Sequence, residues 1–307
     1  MRLAHLHFPN ITPFARVSHL QETLTTRLLA HKKALPGINQ HHQPDPTIIT
    51  FTPNPVYTTG RRDMPPSNTC TSTNTNGSNG GGGGLSLPSS LEPIRSLLSD
   101  PNKNTNTKTN SNDNKSASAK AEYHPTLRGG QTTYHGPGQM VAYTVLDLRR
   151  LGLSPRCHIR VLENSVVDVL SGYGVEGVVT EDPGVWVPSK KKKEEEGRSG
   201  IDGAKKITAV GVHLRRNISS FGIGFNVTEE PMWFFRQIVA CGLEGKEATS
   251  LEGQGVRVQD GVKEVAERFV EAFTRRINAD FACGGGGASG ERIEEVYSAT
   301  EEDLLRS

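Results

Sequence analysis

Over the first eight residues Leu3, His5 and His7 alternate with Ala4, Leu6 and Phe8, a period of two that predicts a strand. From residue 17 the period changes: Val17, Leu20, Leu24 and Leu28 recur at helical spacing, so a helix over 17–31 follows. Residues 47–59, TIITFTPNPVYTT, are rich in β-branched and aromatic types and predict a strand running into a loop, with Pro53 and Pro55 putting a turn in the middle or confining the strand to an edge. Ser154 stands as N-cap and Pro155 at the first helical position, before Ile159, Leu162, Val166 and Leu170 on one face; Gly172 and Gly174 end that helix. VEGVVT and GVWVP predict two short strands, KITAVGVHL a third and FGIGFNV a fourth, whose alternate glycines leave room for a close approach. Val262, Val265, Phe269, Phe273 and Ile277 make one face of a final helix, capped by Asp260. Strands and helices in series with few regular βαβ units give an α+β, or mixed α/β, domain.

The pattern fails in three places. From 65 to 122 the chain is almost without aromatics and too polar to offset the entropy of ordering, which predicts a disordered insertion. Within it, Leu85 to Leu98 hold enough Leu and Ile for a transient helix that touches the domain. Residues 190–204, KKKKEEEGRSGIDGA in the main, read as a solvated loop, and 281–307, after CGGGG begins, as a loosely attached tail. What remains, 1–64 and 123–280, is roughly 230 residues, ample for one buried core.

Composition removes several function classes. The 35 basic and 33 acidic residues leave a net charge of +2, without the excess that binds a phosphate backbone, so no nucleic-acid partner is expected. No apolar run reaches the ~18 residues that a spanning helix needs, so no membrane insertion is expected either. Cys70, Cys157, Cys241 and Cys283 show neither disulfide nor zinc spacing, which leaves no metal site and fits a reducing compartment. The N-terminus carries Arg2 and Arg16 with no acid before Glu22, as a mitochondrial presequence does, but it lacks Ser richness and alternates like a strand.

The stretch richest in candidate chemistry is RGGQTTYHGPGQ, residues 128–139. Gly129 and Gly130 let backbone pass close to a ligand, and the GPGQ turn leads into the strand MVAYTVLDL, a rigid support. Neither Lys-Ser/Thr ending nor GxGxxG spacing is present, so ATP is not indicated and no cofactor is expected. His135 alone could serve as base or ligand, but the reading as a hydrogen-bonded loop residue comes first.

RGGQTTYHGPGQMVAY resembles the signature of the lipoyl(octanoyl) transferases, the octanoyl-[acyl carrier protein]-protein N-octanoyltransferases. TPNPVYTTGRR at 52–62, KKITAVGVHLRR at 205–216, FGIGFNV at 221–227 and ACGLEG at 240–245 extend the resemblance in order along the chain. It implies a fold related to biotin and lipoate ligases and a Cys and Lys pair. The nucleophile falls on Cys241 and the lysine on Lys206, with Lys205 as the competing position. Substrate contacts fall on Arg128, Gly129, Gly130, Gln131, Thr132, Thr133, Tyr134 and His135, then on Ala209, Val210 and Gly211, and on Gly222, Ile223 and Gly224. The family has His immediately before the glycine that Gly222 matches, whereas this chain has Phe221.

The implied activity is a two-step acyl transfer. Cys241 takes an octanoyl group from octanoyl-acyl carrier protein, and a lysine of a lipoyl domain then takes it from Cys241 as an amide. The acceptors implied are the lipoyl domains of 2-oxoacid dehydrogenase complexes and the glycine cleavage H protein; a mitochondrial setting and a monomer are also implied. Thiolate chemistry agrees, since a neighbouring ammonium favours the charged form of a cysteine. An ATP-dependent lipoate or biotin ligase, and a non-catalytic protein that binds lipoyl domains, are the competing readings.

Overall fold

The computed structural model describes residues 1–33, 43–64, 87–99, 120–189, 203–239, 245–279 and 290–306. Its centre is a mixed sheet of eight strands. In chain order these are β1 (Arg2–Thr12), β2 (Thr47–Pro53), β6 (Gln139–Val145), β7 (Val178–Val179), β8 (Val185–Val187), β9 (Lys205–Arg215), β10 (Ile218–Asn226) and β11 (Glu295–Ser298). Across the sheet they run β11-β1-β2-β6-β10-β9-β8-β7. The β1 pairings with β2 and β11 are parallel; the rest, from β2/β6 to β7/β8, are antiparallel. Between β2 and β6 in the chain, β3 (Val56–Thr59), β4 (Glu122–Pro125) and β5 (Thr133–His135) make a second sheet in the order β4-β3-β5.

Strand periodicity sorts the core onto the two faces of the large sheet. Leu3, Ile48, Met140, Ala142, Ile223 and Phe225 pack with the apolar faces of α2 (Pro155–Gly172) and α4 (Gly261–Ala279). Their neighbours Ala4, Ile49, Val141 and Tyr143 face the other way, onto Val17, Leu20, Leu24 and Leu28 of α1 (Phe14–Lys33). The helices form where the 3.6-residue period predicts them, and α2 is capped as its sequence implies: Cys157 N–H donates to Ser154 Oγ at 3.2 Å. Pro53 and Pro55 separate β2 from β3, as expected of them.

Two expectations give way. Residues 87–99, where a transient helix touching the domain was expected within a disordered insertion, belong to the fold over their described length. Leu91, Ile94 and Leu98 are buried against Tyr57, Tyr123, Tyr134 and Phe234, with a short 3₁₀ helix over Glu92–Leu97, and Ser99 N–H and Ala121 N–H bridge the segment to the start of β4. Its four leucines and isoleucine are too few and too irregularly spaced to register as a period, yet an aromatic cluster contributed by other segments completes them. The tail is likewise attached: β11 adds a parallel edge to β1, Asn278 pairs both backbone groups of Ile293, and Ile293, Ala299 and Leu304 are buried. An edge strand is held mainly by backbone hydrogen bonds, which leave no hydrophobic pattern to read. Of the 65–122 and 190–204 insertions, residues 65–86, 100–119 and 190–202 lie outside the described residues.

Two histidines are sealed inside. His158, in α2, has a ring nitrogen 3.3 Å from Thr144 Oγ1, and burial pushes its pKa down to about 4; His135, in β5, is pushed to about 3 by burial and then by the nearby Arg128 charge.

Two outcomes follow. Leu91→Ala destabilises the protein by about 2–5 kcal/mol in urea denaturation, the loss expected for a core leucine, while Leu305→Ala, at a side chain 40% exposed, changes it by no more than about 0.5 kcal/mol. Equal effects would mean that 87–99 is not part of the core. The second outcome concerns pH. His135 and His158 take up protons in the unfolded chain below about 6.5 but resist them when folded, so stability is intact above pH 6.5 and falls as the solution is acidified, by up to about 1.4 kcal/mol per pH unit per histidine. His158→Gln flattens the fall between pH 6 and 5; an unchanged slope would show that His158 does not contribute to it.

Candidate functional site

The stretch from Thr126 to His135 links β4 to β5 of the small sheet and touches the large sheet on the way. Gly129 N–H donates to Val212 O on β9 at 2.9 Å, while Arg61 and Arg62 N–H donate to Arg128 O and Gly130 O at 3.0 and 3.2 Å. The Arg128 guanidinium, buried, reaches Thr58 O and Thr58 Oγ1, both at 2.8 Å, and so ties the loop to β3. Gly60 permits this approach: a Cβ there would lie 2.3 Å from Gly130 O and 2.7 Å from Gly129 O.

Between this loop and strands β9 and β10 lies a cavity of about 390 Å³. That is within the span of about 300–1,000 Å³ usual for small-molecule sites. Arg128, Gly129, Gly130, Gln131, Thr133 and His135 line one side, and Ala209, Val210, Gly211, Gly222, Ile223 and Gly224 line the strands. Thr132 and Tyr134 do not line it. Side chains alternate along β5, so Thr133 and His135 face the cavity while Tyr134 stacks on Phe234, ring centroids 4.2 Å apart. Both the N–H and the hydroxyl of Thr132 donate to Asp63 Oδ2 at 2.6 Å, which pins the loop from behind.

His135 is a neutral imidazole here. Its Nδ1 lies 3.3 Å from Gln139 Oε1, and Gln139 Nε2 in turn donates to Asn226 Oδ1 at 2.7 Å, so the ring belongs to a buried amide network. With its pKa near 3 it does not take a proton near neutral pH. Phe221 also stays out of the cavity: its ring packs on Tyr143 at 5.4 Å in the α1-side core, its N–H donates to Gln21 Oε1, and its φ is +61°. A core side chain thus stands where the resemblance implied a histidine.

The strand period also separates the two candidate lysines. Lys205 turns away and pairs with Glu247 at 2.7 Å. Lys206 turns into the cavity, where Nζ donates to Pro183 O at 3.0 Å and lies 4.6 Å from the centre of the Trp186 ring, a cation–π contact. The β8/β9 register jumps here: Val185 pairs with Thr208 but Trp186 pairs with Lys206, so Ile207 is the extra residue of a bulge. Bulges re-aim side chains, and this one points Ile207 into the core with Lys206 beside the cavity.

Cys241 lies outside the described residues, as do Cys70 and Cys283. Cys157 is buried in the first turn of α2. The two flanks of Cys241 are described, and Val239 and Gly245 line one recess with Lys205. Beyond Gly245 the chain joins β9 at the lysine itself: Lys206 N–H donates to Glu247 O at 2.8 Å and Thr249 N–H to Lys206 O at 2.9 Å.

Tyr143, Ile159, Asp182, Pro183 and Arg62 also line the cavity and were not singled out from sequence. Pro183-Gly184 carries a turn signal that points there; Tyr143, inside an apolar strand, and Ile159, inside a helical face, carry none. Among the described residues no group of three or more His, Cys, Asp or Glu side chains converges as a metal site, and no helix is long and apolar enough to cross a membrane.

Comparison with known proteins places these observations in a family. Residues 102–274 match the lipoyl protein ligase A/B catalytic domain. A protein of Schizosaccharomyces pombe named "Probable octanoyltransferase" is 33% identical over 248 residues, covering 80% of this chain and 83% of that one. A Danio rerio protein named octanoyl-[acyl-carrier-protein]:protein N-octanoyltransferase, mitochondrial, is 34% identical over 165 residues, 54% of this chain and 66% of that one. In fold the chain is similar to a crystal structure of lipoate-protein ligase A bound with ATP, with TM-score 0.50 and 13% identity over 99% of this chain and 92% of that one. With its glycine loop, its inward-facing lysine and these relatives, the chain belongs to the lipoyl protein ligase A/B catalytic domain family, among the octanoyltransferases.

Proposed function

We propose that the protein transfers an octanoyl group from octanoyl-acyl carrier protein to a lysine of a lipoyl domain, through a thioester on Cys241. The observation that carries this reading is the orientation of Lys206. It shares one cavity with the 128–135 loop, while Lys205 does not, and its own backbone is paired with the segment that follows position 241.

In the first step the Cys241 thiolate attacks the donor's thioester carbonyl, the carbon–sulfur bond to the carrier breaks, and the carrier's thiol leaves with a proton. The Lys206 ammonium favours the thiolate and supplies that proton. In the second step the ε-amine of the acceptor lysine attacks the new thioester. The amide forms, the thiolate of Cys241 returns, and Lys206 takes the proton that the amine loses. A thioester lies above an amide in free energy, so transfer needs no nucleotide. Ala209, Val210, Ile223 and the glycines of β9 and β10 offer an apolar, narrow wall suited to an alkyl chain, and neutral His135 adds no charge to it. Thr132 and Tyr134 serve by holding the loop rather than by touching the acyl group. The donor, a protein acceptor and a mitochondrial setting follow the relatives' names in the same reading, and the lipoyl domain as acceptor follows the family resemblance.

Incubation with octanoyl-acyl carrier protein leaves an octanoyl adduct on the peptide that contains Cys241, detected by mass spectrometry. Cys241→Ala lowers turnover by about 10³-fold or more and Lys206→Ala by about 10²–10⁴-fold, while Lys205→Ala stays within about threefold of wild type. A protein that forms no adduct and joins free octanoate to the acceptor only with ATP is a ligase, and the proposal fails. Full acceptor binding without turnover in the wild type would leave only the binding protein.

A further inference from the structure

The Lys206 ammonium rests on a peptide group that is itself held from behind. Pro183 O accepts from Lys206 Nζ at 3.0 Å, and the N–H at the other end of that same peptide bond, Gly184 N–H, donates to Glu163 Oε1 at 2.9 Å. Glu163 comes from α2, is 2% exposed, and accepts Arg160 Nη1 on its second oxygen at 3.1 Å. Gly184 takes a φ of +123°, and a Cβ there would lie 2.4 Å from Thr208 O and 3.3 Å from Lys206 Cε, so the turn closes this tightly only on glycine.

We infer that Glu163 is a positioning residue for Lys206, acting through the 183–184 peptide group. The inference rests on the role proposed above for Lys206. An acceptor oxygen on α2, an amide N–H, the carbonyl of that amide and an ammonium are hydrogen-bonded in series, so the acceptor on α2 fixes Pro183 O and, through it, where Nζ sits. Burial pushes the Glu163 carboxyl up, while the Gly184 N–H, Arg160 and the Lys206 charge draw it back toward the ionised form. The Trp186 ring beneath Nζ leaves the ammonium stacked but still aimed into the cavity.

The test measures steady-state octanoyl transfer and thermal unfolding of the full chain. Glu163→Gln, whose amide oxygen still accepts from Gly184 N–H, keeps kcat within about threefold. Glu163→Leu, similar in size but without an acceptor, lowers kcat by about 10–100-fold with KM for the octanoyl donor within about twofold. In a Lys206→Ala background Glu163→Leu adds less than about twofold, because its effect passes through the lysine. A merely structural glutamate gives the same loss in both backgrounds, and that result overturns the inference. So does a wild-type kcat for Glu163→Leu, or a Glu163→Gln enzyme as slow as Glu163→Leu. If Glu163→Leu does not fold, Glu163→Asp, which withdraws the carboxylate by one methylene, carries the same reading: about tenfold lower kcat at unchanged KM supports it and a wild-type kcat overturns it. Lys206→Ala alone separates the two claims. Wild-type turnover in that variant rejects the role of the lysine, whereas its loss together with unaffected Glu163 variants rejects only the relay.

Discussion

The site depends on one close approach, the seating of the 128–130 backbone over Gly60 with its face on β9. Three backbone hydrogen bonds and a buried guanidinium hold it: Gly129 N–H to Val212 O, Arg61 and Arg62 N–H to Arg128 O and Gly130 O, and Arg128 to Thr58. These contacts join the small sheet to the large one beside the cavity. A buried guanidinium is costly unless its donors are met, and Arg128 meets acceptors on β3 and on its own loop, at Thr58 and Gly129. The same contacts that meet its two terminal nitrogens therefore fix the wall of the cavity. Asp63, on both polar groups of Thr132, and the Tyr134–Phe234 stack brace the loop from the far side.

Much of this was legible in the sequence, and the limits of legibility are physical. The helices were readable because a buried stripe repeats every 3.6 residues within one segment, as in α2 with its Ser154 cap and Pro155 start. The order of the large sheet was not, because β1 pairs with β2 on one edge and with β11, near the far end of the chain, on the other. How firmly residues 87–99 and the tail are attached was not legible either, for a related reason. Leu91 and Leu304 are buried by partners distant in sequence, and neither stands in a local pattern.

In the site, glycine content and motif order pointed to the 128–135 loop and the β9 and β10 strands, but a motif does not say which way a side chain turns. The strand period does: it sends Tyr134 to the aromatic cluster and His135 to the cavity. Choosing between Lys205 and Lys206 needed more than the period, since both precede Ile207 and the bulge that aims them exists only in the pairing with β8. Phe221 is the converse case. The sequence marks a departure at the edge of the site, and the structure absorbs it into the core on Tyr143, with Gln21 on its backbone N–H.

The long insertion between β8 and β9 enters directly beside Lys206, which makes its tolerance informative. The two strands are already paired at Val187 and Lys205, so the inserted residues close a loop whose ends are fixed by the sheet. Closure entropy grows only with the logarithm of loop length, about 0.6 kcal/mol per doubling. Among the described residues, several contacts set the direction of the lysine. Its backbone is paired to Trp186 on one side and to Glu247 and Thr249 on the other, and its ammonium is held at Pro183 by a turn that α2 anchors. Restraint from three elements at a single strand residue therefore holds Lys206 beside the cavity at the point where the chain lengthens between β8 and β9.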